Sequence, residues 1–517
     1  MHPEKKQGAK NQQPARSKNV QFPSNGHHDP ASEFDSLQVP PSFSPNPPES
    51  GRVSVSANGV LLSTSPLEYY EELKEELLGE IVPKKFTRTR SDEWEPLEGS
   101  QHAKDTVNPI RKIVDFMNIS PNPDKTLIKL HLGDPTLTGV LPTDPSVVNA
   151  VQKSLQSGKY NGYGPATGLP EVRAAVAAYA STPEAPVTAD DVIMTSGCSH
   201  ALQMAIEAVA NPGDNILVPR PGFPLYTTLM RPHGVEDRQY DLDMNREWEV
   251  DLSHMDSLID NRTRAIVVNN PSNPCGAVFS KEHLCQILRV AERHKIPIIA
   301  DEIYGDLVFD GAEFHPLADL QPEVPILTCD GIAKRYLVPG WRLGWLIIHD
   351  RYGVLAHIRD AVRQLATKIV GPCVLVQGAL PDILQHTPSH FFDRTRAIIA
   401  RNAEVAMAQL MEAPGLRPVQ PHGAMYMMVG MESDAFPGFA GSELEFTKAL
   451  IAEESVYCLP GCAFSLPASF RLVLTYDEEQ TMEACRRIKD FCRRHHRSNV
   501  KAHWEHGLSN GYAASST

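Results

Sequence analysis

Along the chain, short apolar runs alternate with segments whose apolar positions recur at helical spacing. The runs are NILVP (215–219), RAIVVNN (264–270), IPIIAD (296–301), VPILTC (324–329) and RLGWLIIH (342–349). They are apolar at consecutive rather than alternate positions, which is the pattern of strands buried on both faces. Between them, HALQMAIEAVA (200–210) and KEHLCQILRVAERH (281–294) read as amphipathic helices. Strand then helix, repeated with short polar connections, predicts an α/β fold: a mostly parallel sheet of about seven strands between two layers of helices. In such sheets ligands bind beyond the carboxyl ends of the strands, so candidate chemistry is sought in the loops that follow these runs.

After His349 the pattern turns helical. It ends in a Gly-punctuated strand region, GAMYMMVG (423–430), and a later strand, SFRLVLTY (469–476). The expected organisation is a large domain over 146–349 and a smaller α+β domain built from 101–145 and 350–497. Residues 1–100 are Pro-, Ser- and Asn-rich, as in PPSFSPNPPES, and cannot bury enough apolar surface to offset their ordering entropy. This extension is expected to be disordered, with a short acidic-faced helix at 66–81 in PLEYYEELKEELLGEI, and 498–517 to be a flexible tail.

Composition narrows the classes. A chain of 517 residues, 41% of them hydrophobic, can bury two cores. Its net charge of −14 argues against a nucleic-acid or anionic-membrane partner held by bulk electrostatics. The nine cysteines lack metal-ligand spacing, so no metal is expected, and no apolar stretch reaches the length of a membrane span. Lys5, Lys6, Lys10, Arg16 and Lys18 give the first thirty residues a basic bias, but no apolar helical face accompanies it. The cytoplasm is therefore expected ahead of the mitochondrion.

The most informative stretch is GIAKRYLVPGWRLGW (331–345), where Lys334 follows an apolar run and Arg342 comes eight residues later, past a Pro-Gly turn. Asp301 ends IIADEIYGD, with Tyr304 three residues on. A strand-terminal Asp is ordinarily a helix cap and a lysine there ordinarily a surface residue; their company gives them weight. Asn273 sits in the doubly Pro-punctuated loop of VVNNPSNPCGAVFS, and Phe223 in the rigid loop of PRPGFPLY (219–226). TSGCSHALQMAIEAVA (195–210) feeds Gly197, Cys198 and Ser199 straight into a helix, whose free N–H groups and dipole favour an anion. Arg471 is a charge inside the apolar strand SFRLVLTY and needs either a ligand carboxylate or a structural Asp or Glu. A lysine amine, a buried acid and an anion site in separate strand-end loops are what pyridoxal phosphate (PLP) requires.

Several strings strengthen that reading: NPIRKIVDFM, GDPTLTGVLPTDP, SGKYNGYGPATGLPEVR, NILVPRPGFPLY, ADEIYGDLVF and AKRYLVPGWRLGW. In this order, from about Val107 to about Phe491, the chain resembles the fold-type I, class I and II PLP-dependent aminotransferases. The resemblance implies that Lys334 is the Schiff-base lysine and proton carrier, Asp301 the pyridinium partner, Tyr304 and Asn273 the partners of the cofactor's O3′, and Arg342 the phosphate arginine. It makes Phe223 the stacking ring and Arg471 the substrate-carboxylate clamp, and it puts Gly133, in LGDP, beside the substrate. Tyr163, in YNGYGPATG, would reach a neighbour's phosphate, which implies a homodimer with shared active sites. The implied reaction is ping-pong transamination, with L-tyrosine and 2-oxoglutarate giving 4-hydroxyphenylpyruvate and L-glutamate. Many relatives carry Ser where this chain has Gly331, so one phosphate contact must come from elsewhere or be absent. Two other readings stay open: a PLP lyase of the same fold, such as an aminocyclopropane-carboxylate synthase or a cysteine-conjugate β-lyase, and a non-catalytic ligand-sensing regulator. The latter is disfavoured because residues 1–100 show no winged-helix pattern or basic face.

Overall fold

A computed structural model describes residues 96–498, apart from 118, 433 and 440. The expectations for residues 1–95, including the helix at 66–81, and for 499–517 lie outside the described residues. A short strand β1 (Ile128–Lys129) precedes the main sheet, whose strands are β2 (Val192–Thr195), β3 (Asn215–Arg220), β4 (Glu236–Asp243), β5 (Glu249–Val250), β6 (Thr263–Asn269), β7 (Ile298–Asp301), β8 (Ile326–Gly331) and β9 (Gly344–His349). The sheet order is β2-β9-β8-β7-β6-β3-β4-β5. The five apolar runs became β3, β6, β7, β8 and β9. Ile266, Val267 and Val268 are consecutive and fully buried, as expected for a strand covered on both faces.

Two strands escaped the apolar-run pattern for different reasons. β2 is only four residues long, and β4, EDRQYDLD, lies near the sheet edge with buried positions interrupted by polar ones. Beyond β4, the two-residue β5 pairs antiparallel and adds an eighth strand.

Strand direction positions the site. β3, β6, β7 and β8 run parallel, and β9 runs antiparallel to both β8 and β2. β2 therefore points the same way as the parallel set. The carboxyl ends of β2, β3, β6, β7 and β8 meet at one edge of the sheet, and β9 begins there, with Gly344 opposite both Thr195 and Gly331.

Helices Cys198–Val209 and Lys281–His294 cover the sheet, the latter capped by the Ser280 hydroxyl accepting from the His283 N–H at 3.2 Å. Helix Ala356–Ala366 packs on Cys198–Val209, and helix Val374–His386 packs on Pro145–Gln156 and Pro170–Ala180. The helical pattern after His349 is thus still cover for the large sheet as far as His386. The later chain forms β10 (Leu416–Pro418), β11 (Tyr426–Met431), β12 (Val456–Tyr457), β13 (Leu459–Pro460) and β14 (Ser469–Val473). An antiparallel four-stranded sheet has the order β10-β11-β14-β13, while β1 and β12 pair parallel.

Candidate active site

A cavity of about 220 Å³ opens at the common strand edge and is lined by residues from both sheets. Of the residues named from the sequence, Gly133, Cys198, Ser199, Phe223, Asn273, Asp301, Tyr304, Lys334, Arg342 and Arg471 line it. Gly197 does not line it but directly precedes Cys198, which does. Tyr163 does not line the cavity and is 96% exposed.

Asp301 closes β7 at the buried end of the cavity. Its Oδ2 accepts from Tyr226 Oη at 2.6 Å, and Cys198 Sγ donates to its Oδ1 at 3.7 Å. Burial pushes the Asp301 carboxyl above the usual range, opposed by the hydrogen bonds from Tyr226, Ile303 and Cys198. No helix follows it, so it is not an N-cap. Tyr226 is a contributor that the sequence did not single out: it is the last residue of PRPGFPLY, on the short helix Leu225–Met230, and is buried.

Lys334 sits on a single helical turn, Ile332–Arg335, directly after β8, and its Nζ donates to the Gly133 carbonyl at 2.5 Å. Gly133 is forced: a Cβ there would come within 2.2 Å of Tyr426 Oη. Gly331 is forced as well, since a Cβ would lie 2.7 Å from the Leu343 carbonyl oxygen. The Ser of many relatives therefore has no room here unless the β8–β9 backbones separate.

The anion cradle forms where β2 turns into helix Cys198–Val209. Gly197 has φ 79°, and a Cβ on it would meet Arg342 Nη2 at 2.6 Å. The Arg342 guanidinium donates to the carbonyls of Ser196 and Pro339 at 3.1 and 3.0 Å, which lays an exposed cation against the helix N-terminus.

Arg471, on β14, is buried and has no acidic partner among the described residues. Its Nη1 donates to Asn273 Oδ1 at 2.9 Å and its Nη2 to the His131 carbonyl at 2.8 Å, while Nε has no partner. The guanidinium lies between the rings of Tyr426 and Phe464, 4.3 and 4.7 Å from their centroids. Burial lowers its affinity for the proton, opposed by Tyr426 and Tyr304. Tyr304 and Tyr426 share a 2.7 Å hydroxyl contact, and burial pushes the Tyr304 phenol far up. Asn273 is fixed by its own N–H donating to Asn269 Oδ1 at 2.7 Å. Phe223 lies edge-to-face on Tyr226, with ring centroids 5.9 Å apart. Tyr426, like Tyr226, was not singled out; the signal was a tyrosine within the Gly-punctuated strand GAMYMMVG.

These features fit PLP. A buried carboxylate without a cationic partner accepts a pyridinium N–H. The Gly197 turn, where a Cβ would collide with Arg342, sets that guanidinium beside the helix N-terminus, a pairing that suits a phosphate. A buried arginine with neutral partners and a free Nε suits a substrate carboxylate.

The comparisons with known proteins agree. The sequence model described as "Aminotransferase class I and II" matches residues 125–488. A tyrosine aminotransferase of Caenorhabditis elegans is 54% identical over 82% of this chain and 91% of its own length. One of Homo sapiens is 51% identical over 80% and 91%. The crystal structure of tyrosine aminotransferase from Leishmania infantum superposes with a TM-score of 0.75 at 33% identity, covering 78% of this chain and all of that one. A family match across most of the chain, with lysine, acid and arginines gathered at one strand edge, leaves one conclusion: the chain belongs to the class I and II aminotransferases.

Proposed function

We propose that the protein catalyses ping-pong transamination between L-tyrosine and 2-oxoglutarate, giving 4-hydroxyphenylpyruvate and L-glutamate with PLP as cofactor. The observation that carries this reading is one cavity lined by a buried carboxyl, Asp301, and a buried guanidinium, Arg471, neither with an ion-pair partner among the described residues, together with the Lys334 amine. The names of the relatives supply the choice of tyrosine.

Lys334 would hold the cofactor covalently, Asp301 its ring nitrogen, Asn273 and Tyr304 its O3′, and Arg342 with the Gly197–Ser199 N–H groups its phosphate; Phe223 is the ring that would stack on it. When bound, PLP supplies an electron-poor ring that accepts the electron pair left on the donor's Cα. Asp301 keeps its charge where a protonated ring nitrogen must stay protonated. Arg471 takes the α-carboxylate of either substrate and thereby orients the Cα–H bond. Lys334 Nζ removes the Cα proton, and the Gly133 carbonyl holds that amine on the substrate side. Because donor and acceptor use the same clamp, they bind in turn.

A homodimer with shared sites is part of the reading. The exposed Tyr163 supports it, and an active monomer in sedimentation would remove it. The cytoplasm is the proposed compartment, supported by nine unpaired cysteines; among the described residues no helix is long and apolar enough to cross a membrane.

Product analysis tests the reaction. The loaded enzyme should convert tyrosine and 2-oxoglutarate to the oxo acid and glutamate in equal amounts. Release of pyruvate and ammonia from a cysteine conjugate, with no glutamate formed from 2-oxoglutarate, would replace it with the lyase reading.

A further inference from the structure

His131 belongs to none of the roles above, yet it lines the cavity and is only 4% exposed. Its ring stacks on Tyr457, with centroids 3.7 Å apart and planes 10° apart. Both rings carry an orphan: His131 Nδ1 and Tyr457 Oη are buried without a hydrogen-bond partner. Neither ring is therefore placed here by a hydrogen bond of its polar atom, which leaves the ring faces as what the pair contributes.

The backbone carrying His131 is unusually well fixed. β1 and β12 pair so that Lys129 lies opposite Tyr457. The carbonyls of Lys129, Leu130 and His131 accept in succession from Tyr476 Oη at 2.8 Å, Val473 N at 3.0 Å and Arg471 Nη2 at 2.8 Å, and the Gly133 carbonyl accepts from Lys334 Nζ. The imidazole is therefore held in register with both the carboxylate clamp and the amine. The partners assigned to the cofactor stand at the strand ends of the large sheet, whereas His131 is joined to Arg471 on the smaller one.

We propose that His131, held flat by Tyr457, is a specificity-determining residue: it forms the wall against which the aromatic side chain of the donor stacks once Arg471 has taken its carboxylate. This rests on the reading of Arg471 as the carboxylate clamp. His131 stays neutral at neutral pH, because burial and the neighbouring Arg471 and Lys129 hold its pKa down to about 4. A neutral ring gives a flat aromatic side chain a face to stack on and gives the distal carboxylate of a dicarboxylic acceptor no charge. Tyr457 acts through His131 as a positioning residue, and only its ring is needed.

The test is calorimetric titration of the PLP-loaded protein with two unreactive acids, 3-(4-hydroxyphenyl)propionate and glutarate. His131→Ser is expected to weaken the aromatic acid about three- to tenfold, the scale of one aromatic pair, while glutarate changes less than about twofold. Tyr457→Ala should follow His131→Ser, and Tyr457→Phe and His131→Phe should restore aromatic binding. Should His131→Ser fail to fold, His131→Phe with Tyr457→Ala carries the comparison. Equal weakening of both acids, or of neither, would overturn the proposal. Failure of the wild-type protein to bind either acid would instead remove the clamp reading on which it rests.

Discussion

Lys334 Nζ and the Gly133 carbonyl, 201 residues apart in sequence, meet at 2.5 Å in the lining of the cavity. The amine is thus aimed before any substrate arrives, by a backbone segment that also anchors Arg471. Lys334→Ala should fold normally and lose about 10²–10⁴ in kcat or more, the range for a positioned proton carrier. Single-turnover kinetics with tyrosine would check it, and a variant retaining wild-type turnover would refute the role of Lys334.

Arg471 has no carboxylate among its partners. Removing it should raise KM for donor and acceptor together, by about thirtyfold or more, since a lost buried charge partner costs about 2–5 kcal/mol. Steady-state kinetics of Arg471→Met with tyrosine and 2-oxoglutarate decides this. If KM rose for one substrate and not the other, the shared clamp would be wrong.

Glu302, beside Asp301, accepts from the Leu317 N–H at 2.9 Å, and burial pushes its pKa up to about 8. A carboxyl raised from 4.5 contributes stability that is complete below about pH 4.5 and lost as pH rises through about 8. His131 and His349, both held down to about 4, act oppositely: their contribution is complete above 6.5 and is lost as pH falls toward 4. The difference between the wild type and Glu302→Gln isolates the carboxyl. The Tm of the cofactor-free wild type should fall relative to that of the variant as pH rises through this window; parallel curves would contradict the assignment.

At Gly331 any side chain collides with the Leu343 carbonyl. Gly331→Ser should therefore destabilise the protein by about 1–3 kcal/mol, the usual cost of overpacking, without tightening PLP binding. Thermal melting and cofactor titration test both halves, and tighter binding at unchanged Tm would show that the serine contact is accommodated after all.

Much of this site was legible in the sequence because a parallel sheet brings its strand ends together: Asp301 ends an apolar run, Asn273 and Lys334 follow others, and β7, β6 and β8 deliver them to one edge. Arg471 stood out as a charge in an apolar strand. Tyr226, Tyr426 and His131 did not stand out, because their significance lies in contacts with Asp301, Tyr304 and Tyr457 that no local pattern encodes. β4 was hidden by its polar edge-strand composition. The large-sheet helices after His349 carry the same periodicity as those of the second sheet, so the pattern could not tell which sheet they cover.

The central claim is that this cavity performs half of a transamination with tyrosine alone. The most direct measurement is the absorption spectrum of the PLP-loaded protein as L-tyrosine is added without any oxo acid. The account predicts stoichiometric conversion of the cofactor to its pyridoxamine form, with 4-hydroxyphenylpyruvate released, and full reversal on adding 2-oxoglutarate. A spectrum unchanged by tyrosine, or a change that 2-oxoglutarate does not reverse, would contradict it.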